Sequence, residues 1–197
     1  MNVAIIGSGS WATALAKIVM HNTSEINWHI RKQETIDEFV EIRRNPNHLE
    51  WAYFDVSRIH FSADINAVIE QSDLLVLAIP SPYLKQSLND ITVDMSQKMV
   101  ISAVKGMIPD ENLLVTEYLH KYFNVPNENL GVIAGPCHAE EIALERLSYL
   151  TVGCENMDKA REWSKLFDTP YVRTTPSNDI EGLEYASVMK NIYAIAA

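Results

Sequence analysis

The glycine-rich segment near the start of the chain constrains the fold more than any other feature. An apolar run, Val3 to Ile6, precedes Gly7-Ser8-Gly9-Ser10-Trp11-Ala12, which reads G-x-G-x-x-A, and residues at helical spacing follow. In this pattern the first glycine permits a tight turn, the second lets a pyrophosphate approach the backbone, and a small third residue lets helix and strand pack closely. The segment therefore predicts a strand, a dinucleotide-binding turn and a helix. The alternative is an ordinary strand–helix turn.

Further apolar runs predict how the rest of the chain is arranged. Runs that resemble buried strands lie at 26–30, 74–79, 99–104, 130–134 and 171–174, and stretches that can be helical lie at 64–71, 83–89, 112–122 and 139–147. Strands that alternate with helices are typical of an open, mostly parallel sheet covered on both faces. We therefore expect an α/β fold with a doubly wound sheet of the Rossmann type, in which ligands bind at the carboxyl ends of the strands.

A final helix is expected to begin near Ile180 and to carry apolar residues on two opposite sides. At 100° per residue, one side holds Leu183, Ala186, Lys190 and Ala194, and the other holds Val188, Ile192 and Ile195. A helix of this kind is normally buried all round. No glycine, cationic last turn or proline ends it. We therefore expect a dinucleotide-binding domain at 1–178, followed at 179–197 by the first helix of a C-terminal helical domain that is cut off.

Composition excludes several classes of partner. The chain has 16 Lys and Arg against 26 Asp and Glu, a net charge of −10, which disfavours binding to nucleic acid and to anionic lipid. No run approaches the roughly 18 apolar residues of a membrane span, and the first residues lack a cationic leader, so we expect a cytoplasmic protein without membrane insertion. Cys137 and Cys154 are expected to be reduced thiols. His138-Ala139-Glu140 lacks a following P-C-x-x-C, so no metal is expected.

The end of the second predicted strand indicates which dinucleotide binds. NAD-specific folds usually place Asp or Glu about 20 residues beyond the glycines to bind the ribose hydroxyl. This chain instead has Trp28-His29-Ile30-Arg31-Lys32. Because a guanidinium suits a 2′-phosphate and can also lie against adenine, NADP(H) is expected to bind at least as well as NAD(H). The alternative is that Arg31 is an ordinary surface arginine.

Two lysines are candidates for the chemistry. Lys105 follows a buried strand and precedes Gly106, so it can hold a substrate oxygen as a point charge. Lys190 lies on an apolar arc, where desolvation would lower its pKa toward that of a general acid or base. The alternatives are a plain surface lysine at 105 and a lysine at 190 that reaches water from a half-buried helix.

Several separate motifs, taken in order, resemble one family across essentially the whole chain. They are Gly7 to Ala16, Trp28-His29-Ile30-Arg31, Asn45-Pro46-Asn47-His48-Leu49, Ala78-Ile79-Pro80-Ser81, Ser102 to Gly106, Gly135-Pro136-Cys137-His138-Ala139-Glu140-Glu141 and Lys190 to Ala196. The chain resembles bacterial NAD(P)-dependent glycerol-3-phosphate dehydrogenases. The resemblance implies reversible reduction of dihydroxyacetone phosphate to sn-glycerol 3-phosphate, which supplies glycerophospholipid synthesis.

The resemblance also implies roles for individual residues. Dinucleotide contacts are expected at Gly7, Gly9, Ser10, Trp11, Arg31, Lys105 and Ala139, and substrate contacts at Lys105, Gly135 and Cys137. Lys190 would be the proton acceptor. Cys137 stands where the family commonly has Ser or Thr, and a thiol is a weaker hydrogen-bond partner. The family's C-terminal helical domain supplies further substrate groups and is a candidate homodimer interface, so this segment alone is expected to bind dinucleotide but turn over little.

Two other functions remain open from the residues alone. A related dehydrogenase acting on hydroxy acids or sugar acids would share the glycine turn and a lysine base. A dinucleotide-sensing module without chemistry would share the turn, but it would leave Lys105 and Lys190 without a role.

Overall fold

The computed structural model describes residues 1–196, apart from the side chains of Asn191, Ile192, Ala194 and Ala196. The strands are β1 (Val3–Ile6), β2 (Ile26–His29), β3 (Ile59–Ser62), β4 (Leu74–Leu77), β5 (Met99–Ser102), β6 (Leu130–Ala134), β7 (Ser148–Cys154) and β8 (Val172–Ser177). The helices are α1 (Ser10–Asn22), α2 (Gln33–Ile42), α3 (Ile65–Glu70), α4 (Ser81–Asn89), α5 (Val115–Phe123), α6 (Ala139–Ala143), α7 (Met157–Phe167) and α8 (Ile180–Ala196).

These strands form one sheet in the order β3-β2-β1-β4-β5-β6-β7-β8. Neighbouring strands are parallel except β6 and β7, which pair antiparallel. The strand order reverses direction between β1 and β4, which is the switch point where doubly wound sheets bind ligands. The predicted α/β class and mostly parallel sheet are confirmed.

The sheet is buried on both faces, as its continuous apolar strands predict. Along β1, Val3 and Ile5 join one core cluster, whereas Ala4 and Ile6 join the other. The alternation follows from the two-residue period of a strand. Helices on both faces therefore hold the carboxyl ends of β1, β4 and β5 in a fixed arrangement, and the loops at this edge build the site.

The sequence did not indicate two of the strands. β3 (Ile59–Ser62) is short, and only its first residue is buried. A strand of this kind does not need a continuous apolar run, and its sequence has none. β7 alternates buried and exposed residues at its start, and the stretch 139–147, expected to be helical, is helical only at Ala139–Ala143. Because β7 pairs with β6 in the opposite direction, its place in the sheet depends on long-range pairing that a local pattern does not encode.

The last helix forms where expected, but it is not buried all round. α8 packs against β6 and β7 on one side. Its other side is open, with Tyr193 64% and Ile195 88% exposed. The sheet covers only one side of the helix, and burial of its other side by a further domain stays a prediction. The placements predicted for Ile192 and Ala194 lie outside the described side chains, and the division into domains at 178 stays a prediction.

Candidate functional site

The glycine turn has the geometry that its pattern predicts. Gly7 has φ +128°, and a Cβ there would lie 2.5 Å from the Ala78 carbonyl oxygen, so only glycine fits without strain. A Cβ at Gly9 would meet nothing within 4 Å, so open space lies in front of this residue. Gly9 precedes α1, and no side chain that the structure describes caps the helix. The first amides of α1 are therefore available to an anion.

Asn45 holds this turn in place, a role that the sequence did not reveal. Its side chain is 1% exposed, and its Nδ2 donates to the Ser8 carbonyl oxygen at 2.9 Å and to Thr13 Oγ1 at 2.8 Å. Thr13 Oγ1 donates in turn to the Gly9 carbonyl oxygen at 3.0 Å. In the sequence Asn45 stood only as part of a motif shared with the resembled family, without a role. The buried amide instead fixes the backbone on both sides of the turn.

Replacing Asn45 with alanine is expected to destabilise the protein by about 2–3 kcal/mol, because three side-chain hydrogen bonds are lost and the partly buried Ser8 carbonyl oxygen loses this partner. The measurement is the free energy of unfolding in urea. Asn47→Ala is the matched control, since Asn47 is exposed on the same loop. Equal losses for the two variants would contradict the role of Asn45.

An outer cavity of about 460 Å³ lies beside the turn and is lined by Gly7, Ser8, Gly9 and Arg31, among others. Arg31 is exposed at this cavity, as required for contact with a dinucleotide. At the end of β2, where NAD-specific folds place a carboxylate, the chain has the buried His29. Burial lowers the pKa of His29, so the imidazole is neutral at pH 7. Tyr83, Gln86 and Ser87 of α4 also line this cavity, and sequence patterns did not suggest them.

A middle cavity of about 290 Å³ continues from the outer one and shares Gly9 and Pro80 with it. Trp11 forms part of its wall and donates from Nε1 to the Ala103 carbonyl oxygen at 3.1 Å. The Lys105 Nζ lies 5.1 Å from the centre of the Trp11 ring. This cation–π contact holds the ammonium group at the edge of the cavity.

Ser10 lines this middle cavity, and Gly106 lies next to the lining residue Lys105. Ser10 Oγ lies 3.3 Å from His48 Nδ1, and His48 also lines the outer cavity. Gly106 has φ +135°, and a Cβ there would lie 2.7 Å from Ser81 Oγ. The glycine therefore lets the Lys105 loop pack closely against the start of α4.

An inner cavity of about 260 Å³ brings the two candidate lysines together. Trp11 and Lys105 line it from one side, and Ser187 and Lys190 of α8 line it from the other. Lys105 and Lys190, which are far apart in the chain, therefore line the same cavity. Lys190 is exposed, however, so the desolvation expected from its apolar arc is not present. The reason is that this side of α8 faces the cavity rather than the core.

Gly135 lies at the inner cavity, whereas Cys137 and Ala139 do not line it. A Cβ at Gly135 would lie 2.4 Å from the Tyr149 carbonyl oxygen, so glycine is required by the packing of this loop against β7. Cys137 is 1% exposed within the core, and burial raises the pKa of its thiol. A protonated, enclosed thiol is a poor nucleophile. The substrate contact at Cys137 and the dinucleotide contact at Ala139 stay predictions.

The three cavities form one cleft along the carboxyl ends of the strands, because neighbouring cavities share wall residues. Arg31 lies at one end of this cleft and Lys190 at the other. In residues 1–196 no group of three or more His, Cys, Asp or Glu side chains could hold a metal ion. Over the same residues, no helix is both long and apolar enough to cross a lipid bilayer.

Curated proteins related to this chain are glycerol-3-phosphate dehydrogenases. The protein of Oceanobacillus iheyensis named glycerol-3-phosphate dehydrogenase (NAD(P)+) is 32% identical over 99% of this chain and 56% of its own length. The protein of the same name from an Exiguobacterium species is 28% identical over 100% of this chain and 58% of its own length. The chain thus spans a little over half the length of these relatives.

Solved structures and a family model agree with this relationship. Glycerol-3-phosphate dehydrogenase of Plasmodium falciparum superposes with a TM-score of 0.87 at 28% identity, covering 98% of this chain and 56% of that one. The Coxiella burnetii enzyme, at 22% identity and a TM-score of 0.84, shares the fold over 99% of this chain and 59% of its own. The family model described as "NAD-dependent glycerol-3-phosphate dehydrogenase N-terminus" matches residues 2–160. The chain therefore belongs to the NAD-dependent glycerol-3-phosphate dehydrogenase family and corresponds to its N-terminal part.

Proposed function

We propose that the whole protein containing this chain reduces dihydroxyacetone phosphate to sn-glycerol 3-phosphate with NADPH or NADH, reversibly, and so supplies glycerophospholipid synthesis. The observation that carries the proposal is the inner cavity, where Lys105 and Lys190 line the same space at the end of a cleft that begins at the glycine turn. The relatives' names support the reaction.

The cleft fits a nicotinamide dinucleotide in three places. The open space at Gly9 and the uncapped start of α1 suit a pyrophosphate. Arg31 at the outer cavity suits an adenosine 2′-phosphate. The end of β2 carries His29 in place of a carboxylate, so no negative charge at that position repels the phosphate. Lys105, held over Trp11, lies where the middle and inner cavities meet. When bound there, the reduced dinucleotide supplies the hydride for the reaction.

Within this proposal Lys190 transfers the proton and Lys105 stabilises the negative charge that develops on the substrate oxygen. As hydride reaches the second carbon, negative charge builds on the carbonyl oxygen. The Lys190 ammonium group donates a proton to that oxygen, and in the reverse direction the neutral amine accepts it. Lys105 stabilises the developing charge, an interaction that strengthens in the transition state. Because Lys190 is exposed here, we propose that the bound substrate and the further groups of the whole protein exclude water from it.

Three finer features belong to the same proposal. We place residues 179–197 at the start of a C-terminal helical domain that completes the substrate site, so the chain alone turns over little. We place the homodimer contact in that domain. We place the whole protein in the cytoplasm, where the two free, buried cysteines would stay reduced.

The test is oxidation of NADPH by the whole protein with a panel of carbonyl substrates. Fast oxidation with dihydroxyacetone phosphate and slow oxidation with oxo-acids or oxidised sugar acids is the expected result. The reverse order would favour a hydroxy-acid or sugar-acid dehydrogenase. Dinucleotide binding without oxidation of any substrate would favour a sensing module.

Replacing Arg31 with aspartate is expected to weaken NADPH binding by about tenfold or more, because a carboxylate would repel the 2′-phosphate. NADH, which lacks that phosphate, should lose much less affinity. The measurement is the Kd of each dinucleotide for the 197-residue chain by calorimetry. Lys32→Asp is the matched control, since Lys32 is exposed beside Arg31. An unchanged Kd for NADPH in Arg31→Asp would make Arg31 an ordinary surface residue.

A further inference from the structure

Glu184 of α8 is buried, which is unusual for a carboxyl group. It is 4% exposed, and no other Asp or Glu in residues 1–196 is buried. A buried carboxylate needs hydrogen-bond donors to offset the loss of water. Glu184 has three of them, since Oε1 accepts from the amides of Val115 at 3.1 Å and Thr116 at 3.3 Å, and Oε2 accepts from the Thr116 hydroxyl. Burial raises the pKa of Glu184, and these hydrogen bonds oppose the rise.

The three donors belong to the first turn of α5. Val115 and Thr116 are the first two residues of that helix, where backbone amides have no partner within the helix. The positive end of the helix dipole also favours a carboxylate there. Glu184 therefore joins α8 to the amino end of α5 by charge-assisted hydrogen bonds, although the two helices are far apart in the chain.

This contact links the segments that carry the two lysines of the inner cavity. Lys105 lies in the loop that leads into α5, and this loop is closed by a bridge in which the Ile108 amide donates to the Leu113 carbonyl oxygen at 2.9 Å. Glu111 in the same loop pairs with Lys85 of α4 at 2.6 Å. The loop is thus fixed between α4 and α5, and Glu184 fixes α8 to the end of that loop.

The neighbouring residue adds a second anchor. Leu183 packs so closely on β7 that a Cβ at Gly153 would lie 2.6 Å from Leu183 Cδ1. Leu183 also lines the inner cavity with Ser187 and Lys190. An apolar contact alone would tolerate sliding or rotation of α8. The two carboxylate oxygens of Glu184 accept from three directed donors, which restrict the position of the helix along its axis.

We propose that Glu184 is a positioning residue that sets the place of Lys190 relative to Lys105 by holding α8 on the first turn of α5. The proposal rests on the function proposed above, in which both lysines act on one substrate oxygen. A displacement near 1 Å of a reacting group can cost on the order of 100-fold in rate, so the register of α8 matters. The carboxylate acts through the helix and does not touch the substrate.

The first experiment compares Glu184→Ala and Glu184→Gln in the whole protein. We expect kcat to fall by about 10- to 100-fold in Glu184→Ala, with the KM for NADPH changed less than about twofold, because the dinucleotide binds mainly outside α8. Glu184→Gln keeps one acceptor oxygen, so its kcat should lie between that of the wild type and that of Glu184→Ala. Glu181→Gln is the control, since Glu181 is exposed on the same helix. A lower thermal midpoint with an unchanged kcat would show a purely structural role and overturn the proposal.

A second experiment needs no activity. Nitroxide labels at Lys121→Cys on α5 and Tyr193→Cys on α8 report the distance between the helices, and Cys137 and Cys154 are buried and therefore spared. We expect one narrow distance distribution for the labelled parent and a shifted or broadened one for Glu184→Ala, or for Glu184→Gln if the alanine variant does not fold. An unchanged distribution overturns the proposal. An inactive wild type with a shifted distribution would instead contradict the proposed function and leave the positioning role supported.

Discussion

Lys190→Ala is expected to lower kcat of the whole protein by about 10²- to 10⁴-fold, the range typical for loss of a positioned general acid or base. Lys190 lines the inner cavity opposite Lys105, and alanine cannot supply the proton that the carbonyl oxygen requires. The Kd for NADPH should stay within about threefold of wild type, because most of the dinucleotide cleft lies on other elements. Stopped-flow oxidation of NADPH and calorimetric titration measure the two quantities.

Two controls separate this effect from a general loss of positive charge. Lys165→Ala removes an exposed lysine on α7, outside the residues that line the cleft, and should leave kcat unchanged. Lys105→Ala should lower kcat and also weaken dinucleotide binding, because Lys105 lines both the middle and inner cavities. If Lys190→Ala turned over at the wild-type rate, Lys190 would have no part in the proton transfer.

The second large effect is expected from the two glycines of the turn, for opposite reasons. Gly7→Ala should destabilise the protein by about 3 kcal/mol, because φ is +128° and the new Cβ would lie 2.5 Å from the Ala78 carbonyl oxygen. Gly9→Ala should change stability by less than about 0.5 kcal/mol, because φ is −76° and the new Cβ meets no atom within 4 Å. Its methyl group would instead occupy the space where a pyrophosphate approaches, so the Kd for NADPH should rise by at least about tenfold.

Urea unfolding and calorimetry on the 197-residue chain measure both variants. The two substitutions are each other's control, since they add the same methyl group to the same turn. Normal dinucleotide binding by a folded Gly9→Ala variant would mean that the dinucleotide does not cross this turn. Undiminished stability in Gly7→Ala would mean that the backbone at Ala78 moves freely, contrary to its place in the core.

The sequence predicted the parts of the site that depend on local geometry. The spacing of Gly7 and Gly9 predicted the turn, because the need for positive φ at one glycine and for open space at the other is a property of a few consecutive residues. The sequence also showed that no carboxylate stands next to Arg31, which predicted a site that accepts a 2′-phosphate. The apolar runs that became β4 and β5 predicted a sheet buried on both faces.

Other parts of the site could not be predicted because their causes lie far apart in the chain. Asn45 reaches the turn from the loop after α2, and nothing in its neighbours indicates that its amide is buried. The apolar residues around Lys190 indicated burial, yet the structure exposes this lysine because that side of α8 faces a cavity. Nothing in the sequence around Glu184 indicates that its carboxylate accepts hydrogen bonds from the first turn of α5.

The sequence by itself thus determined the class of the fold, the turn that suits a pyrophosphate and the charge beside it, since each depends on residues within one strand, turn or helix. Only the tertiary structure decided that β7 runs antiparallel to β6 and that Lys105 and Lys190 share a cavity. The physical reason is that strand order and helix docking come from the burial of distant apolar surfaces against one another. The apolar pattern of a segment shows which of its faces is buried, but not which distant segment covers that face.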